Sequence, residues 1–201
     1  MSITSYATLK SAIADWLLRD DLTAVIPSFI SLAEADISRK MRHWLQEKKV
    51  RTSVDEGFEF LPDDWLATIS LRHADGLEIK QVGVTEMADL KDLPRSGRPA
   101  FYRLEAGRIE FYPVPDRGYD VDLVYFGRIP SLSDASTTNW LLTNHPDIML
   151  YGSLVQAAPY LDDDQKLSVW SSLYNSALQS IQADSNSARH SGPLRMRVKI
   201  Q

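Results

Sequence analysis

The stretch from Tyr6 to Arg42, YATLKSAIADWLLRDDLTAVIPSFISLAEADISRKMR, decides how the rest of the chain is to be read. Leu9, Ile13, Trp16 and Leu17 recur at helical spacing, and Thr4 or Ser5 stands where a side-chain oxygen accepts from the free N–H groups of a first turn. Residues 6–19 therefore predict an amphipathic helix. After the polar break at Asp20 and Asp21, the period resumes with Ile26, Phe29, Ile30, Ala33, Ile37 and Met41, over about 23–44. Pro27 is tolerable there because it falls in the first turn, where its missing N–H has no helical partner to lose. Two such helices joined by a short turn predict an antiparallel hairpin whose apolar stripes need further partners.

The other end of the chain offers those partners. Pro146 sits at a natural first helical position behind Asn144 or His145, and Ile148, Tyr151, Leu154, Val155, Ala158 and Leu161 share one face. The acids Asp162, Asp163 and Asp164 then favour the positive end of a last helix, whose stripe is Leu167, Trp170, Leu173, Tyr174, Leu178 and Ile181. Between the hairpins, from about Gln46, short runs of β-branched and aromatic residues alternate with Gly, Pro and Asp. Strands are predicted at 49–54, 58–61, 68–73, 77–82, 101–105, 108–112 and 120–127, with short helical turns at 62–66 and 85–93. Ala106 and Gly107 join two of them as a two-residue hairpin. The expected fold class is α+β: a four-helix core from the N- and C-terminal helical hairpins, interrupted by a β-rich insertion domain. In residue terms, 1–47 and 144–184 form a discontinuous helical domain, 48–143 the β-rich insertion, and 185–201 a basic C-terminal tail.

Composition narrows the function classes. The chain has 201 residues, 44% of them hydrophobic and 24% charged, the profile of a globular protein with one or two real cores. Its apolar runs fall far short of the roughly 20 residues that cross a bilayer, and the N-terminus shows no secretory pattern, so no membrane partner and a cytoplasmic place of synthesis are expected. Cysteine is absent, which removes disulfides, thiolate metal sites and cysteine nucleophiles. From Ser185 to Gln201 there are four basic residues and no acid, so of a net charge of −5 the remainder of the chain carries −9. An acidic body with a basic tail points to a contact made by the tail. Leu194, Met196, Val198 and Ile200 alternate strictly with Arg195, Arg197 and Lys199. This is a strand pattern, suited to docking on the body or to adding an edge strand to a neighbouring subunit or another protein, its bases meeting acids.

Signatures of catalysis are missing. Neither a dinucleotide fingerprint nor a P-loop occurs, no serine sits in a nucleophile elbow, and His43, His73, His145 and His190 are scattered without metal-ligand spacing. No cofactor or metal is expected. The pairs Asp20–Asp21 and Asp63–Asp64 and the triplet Asp162–Asp164 fall at turns or helix starts, where capping accounts for them. The loop LPRSGRPAFY, 93–102, holds Arg95 and Arg98 among turn formers, which makes it a candidate contact for DNA or for a neighbouring subunit.

Four ordered segments carry a family resemblance: the opening Tyr6–Arg42 stretch, FEFLPDDWLATISLR at 58–72, SGRPAFYRLEAGRIEFYPVP at 96–115, and IPSLSDASTTNWLLTNHPDIMLYGSLVQAAPYLDDD at 129–164. The last is the most specific, through Asn139-Trp140-Leu141-Leu142 and the helix from Leu150-Tyr151-Gly152 to Tyr160-Leu161. In these the chain resembles the head-to-tail adaptor, or connector, proteins of podovirus-like and related tailed phages. The resemblance implies a non-enzymatic virion protein at the head–tail interface, assembled in the host cytoplasm. It implies a ring of twelvefold order, matching the portal protein, with a tail or nozzle protein beyond it and genomic DNA passing through the centre. It also implies that the C-terminal segment reaches the portal, which gives Arg189, Leu194, Arg195, Met196, Arg197, Val198, Lys199 and Ile200 as expected portal contacts. The alternative expectation is an accessory DNA-binding virion protein that uses the Arg95 and Arg98 loop with the basic tail.

Overall fold

The computed structural model describes residues 2–19, 21–161 and 164–190. The chain divides into two compact units, one built from Met1–Trp44 with Ile129–Gln201, the other from Leu45–Arg128.

The first unit is helical. Helix α1 (Tyr6–Leu17) opens with a capping box in which Ser5 Oγ accepts from the Thr8 N–H at 3.3 Å and Thr8 Oγ1 accepts from the Ser5 N–H at 2.9 Å. Helix α2 (Ile26–Lys40) carries Pro27 in its first turn and buries Ile26, Phe29, Ile30, Ala33 and Ile37. Two helices follow the return of the chain: α4 (Trp140–Asn144) and α5 (Pro146–Leu161), with α3 (Val84–Lys91) lying in the other unit. The last, α6 (Asp164–His190), runs six residues past the expected start of the tail. Its extension is held by Ser185, which is buried and accepts from the Trp44 N–H at 3.1 Å.

The expected four-helix core of two packed hairpins is not what forms. Helix α5 is instead a hub: α2 and α6 both pack along it, α1 and α4 lie against it more lightly, and α1 and α2 scarcely touch each other. The reason lies in α5 itself. Ile148, Met149, Leu150, Gly152, Ser153, Leu154, Ala157 and Ala158 are all buried, so its apolar surface goes most of the way round rather than forming one stripe. A helix of that kind is satisfied only when neighbours surround it. Gly152 permits the close approach, since a Cβ there would lie 3.1 Å from the Tyr174 ring and 3.3 Å from Ala33 Cβ. Helices α2 and α6 flank α5 and run in the same direction, and two side-chain bonds join them. Tyr174 donates its hydroxyl proton to Asp36 at 2.9 Å, and further along the Gln182 amide donates to the Lys40 carbonyl at 3.3 Å.

Residues 129–139 belong to this unit and close it. The Leu132 N–H donates to the Glu34 carboxylate at 2.7 Å, and the Tyr6 N–H donates to the Thr137 carbonyl at 2.7 Å. Asn139 caps α4 by accepting from the Leu142 N–H at 2.8 Å, while its amide nitrogen donates to the Pro130 carbonyl at 2.8 Å. The Asn139-Trp140-Leu141-Leu142 motif thus ties a loop to a short helix.

The second unit is a pair of sheets around one core. Strands β1 (Glu47–Val54), β7 (Tyr119–Gly127) and β3 (Trp65–His73) form an antiparallel sheet with β7 in the middle. The other sheet has the order β2 (Phe58–Phe60), β6 (Arg108–Tyr112), β5 (Phe101–Glu105), β4 (Lys80–Gln81). Alternation places Val121, Leu123 and Tyr125 of β7 inward to meet Ile109, Phe111 and Tyr102 of the opposite sheet. The β5–β6 hairpin turns on Ala106 and Gly107 at φ 45° and 81°, the two positive values a two-residue turn requires. Helix α3 (Val84–Lys91) covers the outer side of β5 and β6 through Met87 and Leu90. The short helical turn expected at 62–66 is a tight turn, closed by the Trp65 N–H on the Pro62 carbonyl, with Trp65 already the first residue of β3.

Candidate functional site

The loop expected to contact DNA or a neighbour is built on α3 and the β5–β6 hairpin. Tyr112 fixes its start by donating to the Leu93 carbonyl at 2.5 Å. Buried His73 meets the Pro99 carbonyl at 2.7 Å through Nε2, which must carry the proton for that contact, and holds the far end. Between them Arg95 and Arg98 line one cleft of about 300 Å³, floored by Leu90, Phe101, Tyr112 and Pro113. The two arginines differ in availability. Arg98 is committed to Asp75, donating to both carboxylate oxygens at 2.6 and 2.7 Å, which holds that carboxyl below its ordinary range. Arg95 stands exposed at the rim. One engaged and one open guanidinium make a poor phosphate track, because duplex binding draws on several free cations at once.

Of the residues expected at the portal, Arg189 is the one that falls on a described element. It lies on α6, one helical turn beyond the buried Ser185. Nearby, His43 is buried and stacks on Trp140 with centroids 5.1 Å apart, and its ring lies 6.2 Å from that of His145. Burial first, and then the neighbouring charges of His145 and Arg189, push the His43 imidazolium down from its ordinary pKa. The end of α6 is therefore seated beside the point where the chain leaves the helical unit. Leu194, Arg195, Met196, Arg197, Val198, Lys199 and Ile200 lie outside the described residues.

Of the acids read from sequence as caps, Asp64 and Asp21 have other partners, and Asp20, Asp162 and Asp163 lie outside the described residues. Asp64 accepts from Lys48 at 2.5 Å and from the Tyr125 hydroxyl at 2.9 Å, which pushes the phenol up to about 12, with burial the larger cause. Asp21 pairs with Arg19 at 2.6 Å. A further acid with no motif around it, Asp122 on β7, is gripped by Arg51 at 2.6 Å and Lys49 at 2.8 Å from the adjoining strand. Cross-strand geometry alone brings these together, and their register was not readable from spacing.

Among the described residues no group of three or more His, Cys, Asp or Glu side chains is placed to hold a metal ion, and no helix is long and apolar enough to cross a membrane. Exposed apolar side chains are instead distributed over both units. Trp16, Leu18 and Tyr160 stand out from the helical unit, and Phe58, Phe60 and Val114 from the β-rich unit. No curated protein shows significant similarity to the chain. A family model described as SU10 adaptor protein, in contrast, matches residues 4–197, nearly the full length, and the chain belongs to that family: it is a phage adaptor, a structural protein of the virion.

Proposed function

We propose that the protein forms a ring between the portal and the tail or nozzle, with copies matched to the portal's twelve and the genome passing through the centre without specific binding. The observation that carries this reading is the family match over residues 4–197, on a chain whose exposed apolar side chains sit on both of its units. The acidic body supports it, since a conduit for DNA must not hold the phosphates. Podovirus-like architecture, with its short tail, is the setting we infer. Arg189 and the segment from Leu194 to Ile200 are proposed to make the contact that leaves the subunit, with the portal or with a sister copy. The accessory DNA-binding reading has less behind it, because Arg98 is engaged by Asp75.

The test is mass determination by light scattering on the chain alone and mixed with the portal protein of the same phage. The full chain is expected to join the portal in a closed ring, and a chain ending at His190, which keeps α6 whole, to join weakly or not at all. A full-length chain that stays monomeric and unbound overturns the adaptor ring.

A further inference from the structure

Among the described residues, strand β2 is an edge: it pairs with β6 on one side and with no strand on the other. The Phe111 N–H donates to the Gly57 carbonyl and the Leu61 N–H to the Gly107 carbonyl, so Gly57, Glu59 and Leu61 turn their backbone groups toward β6. By the alternation of an antiparallel ladder, the N–H and C=O of Phe58 and Phe60 face outward. Folded proteins blunt such edges by keeping them short or with lysine, proline or a cover, and β2 is indeed only three residues long with Pro62 just beyond it. Yet the edge carries two large aromatic side chains, Phe58 at 39% exposure and Phe60 at 71%, with rings 6.1 Å apart.

The edge also has a charge pattern. Phe58 and Phe60 share the outer face of the sheet with Arg108 and Glu110, whereas Glu59 is paired with buried Ile109 and points to the opposite face. There it stands at the mouth of an apolar slot of about 170 Å³, lined by Val50, Leu61 and Leu123 among others. Asp55 and Glu56 are exposed just upstream, and none of these three acids has an ion-pair partner among the described residues. The edge therefore reads apolar, acid, apolar.

We propose that this edge accepts the segment from Leu194 to Ile200 of a second copy of the chain. That segment reads apolar, base, apolar throughout, the complement of β2. Paired as an added strand, Leu194, Met196 and Val198 cover Phe58 and Phe60 on one face, and Arg195 and Arg197 meet Glu59 on the other, their stems lying over the slot. Every chain then carries one donor segment and one acceptor edge, the heterologous arrangement that closes into rings. The inference deepens the ring reading above and rests on it: the C-terminal segment's first partner is the neighbouring subunit rather than the portal.

The chain lacks cysteine, so a double variant, Glu59→Cys with Arg197→Cys, reports the contact without background. It is to be oxidised alone and in the presence of the portal, and separated under denaturing, non-reducing conditions. The expected result is a ladder of covalent oligomers from the double variant in at least one condition, absent from either single variant beyond dimer. A disulfide closed within one chain overturns the proposal, as does failure to cross-link in rings that have demonstrably formed on the portal; that second outcome leaves the adaptor reading intact. Charge exchange is the independent check. Glu59→Lys should weaken self-association at least tenfold and Arg197→Glu should do the same, while the two together should recover it. A double variant no better than either single one refutes the pairing.

Discussion

Replacement of Gly152 by leucine tests the arrangement of the helical unit directly. A Cβ at this position already lies 3.1 Å from Tyr174 and 3.3 Å from Ala33 Cβ, and both neighbours are buried. Tyr174 is further restrained by its bond to Asp36, and Ala33 Cβ is fixed by the backbone of α2, so neither can rotate away. Alanine asks them to give by a few tenths of an ångström and gains about 1 kcal/mol of helix propensity over glycine, so Gly152→Ala should stay within about 1 kcal/mol of the parent. Leucine adds three more carbons where there is no room. Overpacking of that kind costs up to about 3 kcal/mol as a rule, and after the same propensity gain the net loss is about 2 kcal/mol. At roughly 2–4 °C per kcal/mol for a chain of this size, the midpoint should fall by about 4–8 °C. Thermal unfolding followed by far-ultraviolet circular dichroism, at one fixed protein concentration, gives the answer. A leucine variant that melts with the parent would mean that α5 is not clamped between α2 and α6, and the hub arrangement would be wrong.

Three other perturbations probe separate contacts. The Glu34 carboxyl is pushed up by burial, and its ionisation therefore opposes folding as the pH rises above the ordinary glutamate range. Glu34→Gln, which keeps the acceptor for Leu132, should match or exceed the parent in urea midpoint at pH 7. Glu34→Ala should lose about 1–3 kcal/mol by leaving that N–H unpaired, and equal loss in both variants would refute the assignment. Asp122 lies well below the ordinary carboxylate range because Arg51 and Lys49 hold its charged form, so its contribution is present above about pH 4 and lost on further acidification. Asp122→Asn should accordingly show a shallower fall in urea midpoint between pH 5 and pH 2.5, and a parallel fall would count against the clamp. Ala106 pays for its left-handed backbone at φ 45°, so Ala106→Gly should raise stability by about 0.5–1 kcal/mol in chemical unfolding; a loss would contradict the turn geometry.

The strands and helices were legible where local chemistry sets them. The Ala106–Gly107 hairpin, Pro27 in a first turn and the stripe of α2 could be read because each depends on residues within one or two turns of each other. What could not be read depends on what lies across the fold. The run from Ile148 to Leu161 reads by spacing as a helix with one apolar face, which leads to the four-helix core that the structure replaces, whereas its near-continuous apolar character is that of a surrounded helix. The extension of α6 through Ser185–His190 was hidden because serine and asparagine favour other conformations in isolation; the bond from Trp44 to Ser185 arises only in the folded unit. The partners of Asp64 and Asp122 follow from strand register, which spacing along one chain does not give. Arg95 and Arg98 share one loop by their spacing, yet Asp75, which decides that Arg98 is engaged, lies beyond any local window.

The placement of α5 also sets a schedule for the newborn chain. The hub begins at Pro146, about a hundred residues after α2 ends at Lys40, so at roughly 5–20 residues per second the first two helices leave the ribosome some 5–20 s before the surface they need. During that interval Phe29, Ile30 and Ile37 have no permanent cover, whereas the whole of Leu45–Arg128 has already been made and contains all the strands of its own two sheets. The middle of the chain can finish folding before its beginning does, and until then the first two helices wait on a surface that is made last.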